Sequence, residues 1–163
     1  MNEEQKGKIE CRVFIEFLEK SKMPIEPKTV QKELPPFPDI SCNFRGKGKV
    51  WFELTEACSP EFKRTVNELG NVIHKTELSD EQLNNPSLVL EGDVSDNTLR
   101  KKIAKKYPVI ESVELLIYTN GMTEMTDDIL IEHFKPILSK GAGQFKKVWL
   151  MGDDVHQVWP SHY

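Results

Sequence analysis

The sequence predicts an α/β fold, with a mixed central β-sheet flanked by helices. Three observations carry this. Apolar residues recur at helical spacing in stretches 9–20, 97–107 and 127–138. Residues 39–55 read as a β-hairpin. Strand-like runs then occupy 113–118 and 145–151. The order helix, hairpin, helix, strand, helix, strand implies a mixed sheet with helices packed on it. A length of 163 residues suits one domain spanning 1–163, with an insert at about 56–95.

The first helix is predicted over Ile9 to Lys20. Cys11, Phe14, Phe17 and Leu18 share one side of it, and Arg12, Glu16, Glu19 and Lys20 the other. Glu10 lies one turn before Phe14 and projects from the apolar side. Two readings of Glu10 stand: a frayed first turn with its carboxylate in water near the positive helix end, or a carboxylate aimed into a cleft. Residues 23–38 hold five prolines, which suit an extended connection and neither a helix nor an inner strand. Asp39 to Phe44 alternates polar and apolar residues, Arg45-Gly46-Lys47-Gly48-Lys49 has turn chemistry, and Val50 to Thr55 is the second strand. Ser59-Pro60 opens a short helix to Leu69. Residues 70–95 are irregular and acidic, with a short strand at Leu88-Val89-Leu90. Ser95 or Asp96 caps the helix 97–107. Val113 to Tyr118 reads as a buried strand, Asp127 to Leu138 as an amphipathic helix, and Phe145 to Met151 as the last strand. Gly141-Ala142-Gly143 reads as a helix-ending loop, and Asp153-Asp154 as a surface turn.

Charge and composition exclude several function classes. With 22 Lys and Arg against 26 Asp and Glu, the net charge is -4, which argues against a bulk polyanion binder. The acidity is concentrated in residues 51–99, so the basic helix starting at Arg100 stands apart from it. No apolar run approaches a membrane span, and no membrane partner is expected. The polar opening residues do not read as a secretory signal, and three cysteines without a Cys-x-x-Cys pair suit a reducing, cytoplasmic setting. The four histidines stand too far apart for a zinc site.

The candidate chemistry lies in Pro38-Asp39 and Glu53-Leu54-Thr55. A hairpin brings positions 39 and 53 side by side at its far end. Two carboxylates there could share a hard divalent cation such as Mg²⁺, with the Leu54 carbonyl completing the inner shell. Such an ion lowers the pKa of a bound water and neutralises charge on a phosphoryl oxygen. The competing reading is a turn dipeptide and a solvated cross-strand glutamate. The helix 97–107 adds Arg100, Lys101, Lys102, Lys105 and Lys106. Leu99, Ile103 and Tyr107 form its apolar stripe; Lys101 and Lys105 point to solvent. Lys106 flanks the stripe and Lys102 lies on the same side one turn earlier, so an acidic or phosphate-bearing partner is expected for them. Trp51, Phe52, Trp149 and Trp159 read as packing residues, and Arg45, Lys47 and Lys49 as a solvated hairpin tip.

These residues resemble the PD-(D/E)XK nuclease superfamily, whose restriction-endonuclease-like core is a helix, a hairpin bearing Pro-Asp and (Asp/Glu)-x-Lys motifs, a helix and a further strand. Pro38-Asp39 matches the first motif, and Glu53-Leu54-Thr55 occupies the second. The likeness covers most of residues 9–150. It implies a nuclease-like protein hydrolysing phosphodiester bonds, with Mg²⁺ or Mn²⁺ held by Asp39, Glu53 and Leu54 and assisted by Glu10. The family's lysine, which orients or activates the attacking water, is replaced here by Thr55. Some members move that lysine to the next helix, and Lys102 or Lys106 would then supply it, Lys106 being slightly better placed by the helical wheel. The alternative is a non-cleaving relative that binds a protein partner in a defence, immunity or regulatory setting.

Overall fold

The computed structural model describes residues 2–57, 96–121, 123 and 125–160. The expected helix at 60–69, the strand at 88–90, Cys58, His74 and His162 lie outside them. Helix α1 runs Glu3–Ser21 and starts six residues earlier than expected. The reason is a capping box: the Asn2 side chain accepts from the Gln5 N–H, and the Gln5 side chain accepts from the Asn2 N–H. The frayed-turn reading of Glu10 is therefore overturned. Glu10 sits mid-helix, on one stripe with Val13, Phe14 and Phe17, and is buried.

The proline-rich connection contains a 3₁₀ turn at Pro27–Thr29 and a two-residue edge strand, β1 (Gln31–Lys32). It is followed by β2 (Ile40–Phe44) and β3 (Gly48–Glu56), the expected hairpin. Gly46 and Gly48 adopt φ of 81° and 82° in its turn, the left-handed region that favours glycine. Next come helix α2 (Asp96–Ala104), β4 (Ser112–Tyr118), helix α3 (Asp127–Leu138) and β5 (Phe145–Met151). β5 is not the last strand. The chain turns through Gly152-Asp153-Asp154 into β6 (Val155–Trp159). Asp127 at the start of α3 holds that turn, accepting from the N–H groups of Asp153 and Asp154 at 3.0 Å each. No sequence signal announces β6, because Val155 to Trp159 is half-buried throughout and shows no two-residue alternation.

The six strands follow sequence order in one mixed sheet. β1–β2, β2–β3 and β5–β6 are antiparallel, whereas β3–β4 and β4–β5 are parallel. Central strands β3 and β4 are buried on both faces, so they read as apolar runs and not as alternation. One face packs Phe14 and Phe17 of α1 against Ile40, Phe52, Leu54 and Leu116. The other packs Leu99 of α2 and Leu130 and Phe134 of α3 against Trp51, Leu115, Ile117 and Val148. The result is helix, sheet, helix in three layers. Among the described residues no helix is long and apolar enough to cross a membrane.

Glu114 breaks the apolar rule on the α1 face of β4. It is 5% exposed, and burial pushes its carboxyl above the usual 4.5 while Lys147 opposite it on β5 pulls it down. An acid with a raised folded pKa deprotonates first in the unfolded chain. Stability therefore falls as pH rises from 4.5 toward the folded value and is flat above it. Glu114→Gln is expected to stabilise the protein by about 1 kcal/mol at pH 7 and to have no such effect below pH 4. Urea unfolding of both proteins at the two pH values checks this.

Candidate functional site

The β2–β3 register pairs Ile40 with Phe52, which leaves Asp39 opposite Glu53 just past the end of β2. There the Asp39 side chain replaces a ladder partner. Its Oδ2 accepts from the Leu54 N–H at 2.9 Å, and its own backbone N–H donates to Glu53 Oε2 at 3.2 Å. The two expected carboxylates therefore meet. N–H and C=O of one strand residue point the same way, so the Leu54 carbonyl faces the same gap.

Two lysines close the site from opposite sides. Lys102 of α2 is ion-paired with Glu53 Oε1. Lys32 of β1 stands between acids, its Nζ 2.7 Å from Glu10 Oε2 and 3.4 Å from Asp39 Oδ1. Glu10 thus reaches Asp39 only through Lys32. Burial alone would lower the Lys32 ammonium, but Glu10 and Asp39 more than offset it and hold it above 10.5. Glu53 is 2% exposed. Burial first, then the Asp39 charge, pushes its carboxyl up, and Lys102 works against both. Tyr107 completes the wall. Its hydroxyl is buried beside Glu53, and burial first, then the charge and hydrogen bonding of Glu53, raise the phenol.

Lys106 does not belong to this group. Helix α2 ends at Ala104, so the helical wheel that favoured Lys106 no longer applies there, and the side chain is exposed. Thr55, where the resemblance expects a lysine, is buried on β3 two residues after Glu53. Lys32 was missed. It sits in a proline-rich stretch whose only signal was extended chain, and its role depends on β1 folding back along β2.

Among the described residues no three His, Cys, Asp or Glu side chains converge as a ready-made metal cage. The donor chemistry nevertheless fits a hard cation that keeps most of its own water. Asp39 and Glu53 are adjacent carboxylates, one of them raised by the other's charge, and Mg²⁺ is commonly held by only one or two carboxylates plus substrate phosphate.

A separate cavity of about 300 Å³ lies at the carboxyl ends of β4 and β5, lined by Tyr118, Asn120, Asp127 and Met151 among others. Its Asp127 is already committed. Asp127 binds the two N–H groups of the β5–β6 turn and His156 Nε2 at 2.9 Å. Burial raises the Asp127 carboxyl, but those partners together pull it below its usual value. The Asp39–Glu53 gap remains the stronger candidate. Compared against protein-family models, curated proteins and solved structures, the chain finds no match.

Proposed function

We propose that this protein is a divalent-metal-dependent nuclease of the PD-(D/E)XK type, hydrolysing phosphodiester bonds of nucleic acid. Lys102 of α2 takes the place of the lysine that Thr55 lacks. The observation that carries the reading is the contact of Lys102 with Glu53, at the point where Glu53 meets Asp39. The order of helix, hairpin, helix and parallel strand supports a restriction-endonuclease-like core.

Asp39, Glu53 and the Leu54 carbonyl would hold Mg²⁺ or Mn²⁺. When bound, the ion supplies a water of lowered pKa and neutralises charge on the phosphoryl oxygen. Lys102 then orients the attacking water or screens the phosphate as its negative charge grows. Glu10 acts through Lys32, fixing the position of that ammonium against Asp39. The new bond is water oxygen to phosphorus, the bond broken is phosphorus to the leaving oxygen, and that oxygen leaves with a proton.

A second reading has its own observation. Lys32 and Lys102 between them already pair with all three acids, as suits a non-cleaving relative that binds a protein partner. Incubation with labelled DNA and RNA oligonucleotides and supercoiled plasmid separates the two. Cleavage that needs Mg²⁺ or Mn²⁺ and disappears in Asp39→Ala and Glu53→Ala is expected. Cleavage unchanged in both variants refutes the assignment, and absence of cleavage with every substrate favours the second reading.

A further inference from the structure

Phe37 stands two residues before Asp39 and outside the core. A turn fixes it, with its N–H donating to the Leu34 carbonyl at 3.1 Å, and the next residue, Pro38, is buried. Its ring lies nearly parallel on Trp51, with centroids 5.6 Å apart and planes 13° from each other. Trp51 is 5% exposed, whereas Phe37 is 42% exposed. Trp51 is thus a buried floor, as its reading as a packing residue requires, and Phe37 is a flat aromatic surface laid on it. One ammonium group borders this surface: Lys49 Nζ lies 4.2 Å from the Trp51 ring centroid. A second, Lys105 Nζ, lies 4.9 Å from the ring centroid of Tyr107, beside Glu53. Trp51 and Glu53 share one face of β3 and stand about 7 Å apart along the strand.

We infer that Phe37 is a stacking platform for an unpaired nucleobase, and that the nucleic acid bound at this site is single-stranded. A phenyl ring offers a π-face and no hydrogen-bonding group, so it grips a base by its flat face without reading its identity. Bases inside a duplex bury those faces against one another. Only an unstacked base can present one. Lys49 beside the platform and Lys105 on the Glu53 side are placed to meet the backbone of the bound strand. A base on Phe37 sets its neighbouring phosphodiester toward Asp39 and Glu53, within one nucleotide's reach. The inference deepens the nuclease reading and rests on it for what is then done to the bound strand.

Binding of fluorescein-labelled oligothymidylate and of a matching duplex, followed by anisotropy in EDTA so that nothing is cut, tests it on the full chain. The single strand is expected to bind at least tenfold more tightly than the duplex. Phe37→Ala is expected to weaken single-strand binding about 5- to 150-fold, the range of one stacked base, with the duplex unaffected. Phe37→Leu keeps apolar cover on Trp51, so it guards against a folding artefact, and it should lose the same binding. Phe37→Trp should retain it. Equal losses on both nucleic acids, or unchanged binding in Phe37→Leu, overturn the inference. No oligonucleotide binding at all also overturns it and assigns the surface to a protein partner. If the strand binds through Phe37 but is not cut with Mg²⁺ or Mn²⁺, the nuclease reading fails and the platform stands.

Discussion

Lys102→Met is expected to lower metal-dependent cleavage by about 10²- to 10³-fold, the usual loss for one group that stabilises a transition state. Lys106→Met should leave the rate within twofold. The contrast follows from position: Lys102 is ion-paired with Glu53, whereas Lys106 lies beyond the end of α2 and is exposed. A purely structural role for Lys102 makes a different prediction, so rescue is the informative arm. Thr55 is buried on β3 two residues after Glu53, and a lysine there restores the second motif in sequence. Lys102→Met combined with Thr55→Lys should recover at least tenfold of the lost rate. Initial rates under single-turnover conditions read all four proteins. Equal rates for Lys102→Met and the wild type would remove Lys102 from the chemistry.

Lys32→Met should destabilise the protein by about 2–3 kcal/mol. Breaking a buried ion pair costs about 3–5 kcal/mol because a charge is left without a partner. The expected figure is lower here because the Lys32 side chain is 29% exposed and Lys6 lies 3.8 Å from Glu10 Oε1. The Glu10 side chain is 5% exposed and cannot turn to water without disturbing the α1 packing. Adding Glu10→Gln to Lys32→Met removes the stranded charge and should bring the cost to within about 1 kcal/mol of wild type. Urea midpoints at constant m-value measure each corner of the cycle. Additive effects would mean that Glu10 and Lys32 are not coupled.

Much of this arrangement is legible in the chain, element by element. The hairpin is local: alternation from Asp39 and turn chemistry at Arg45–Lys49 set a register that puts Asp39 opposite Glu53. Its place one turn before Phe14 puts Glu10 on the apolar side but leaves open whether it is buried, because the start of α1 is signalled by the Asn2–Gln5 box and not by apolar spacing. β6 escaped because it lacks alternation, and β1 because two residues between prolines carry no pattern.

By itself the sequence determined an α/β class, the hairpin, and two carboxylates at one end of it. Backbone periodicity and turn chemistry act over a few residues, and each of those features is that short in range. Only the tertiary structure decided which cations meet the carboxylates. Lys32 arrives because an edge strand folds back along β2, and Lys102 because α2 packs on the face of β3 that carries Glu53. A helical wheel says which way a side chain points along its own helix. It cannot say where that helix stops or what stands opposite, and here α2 stops at Ala104, which leaves Lys102 on Glu53 and Lys106 in water.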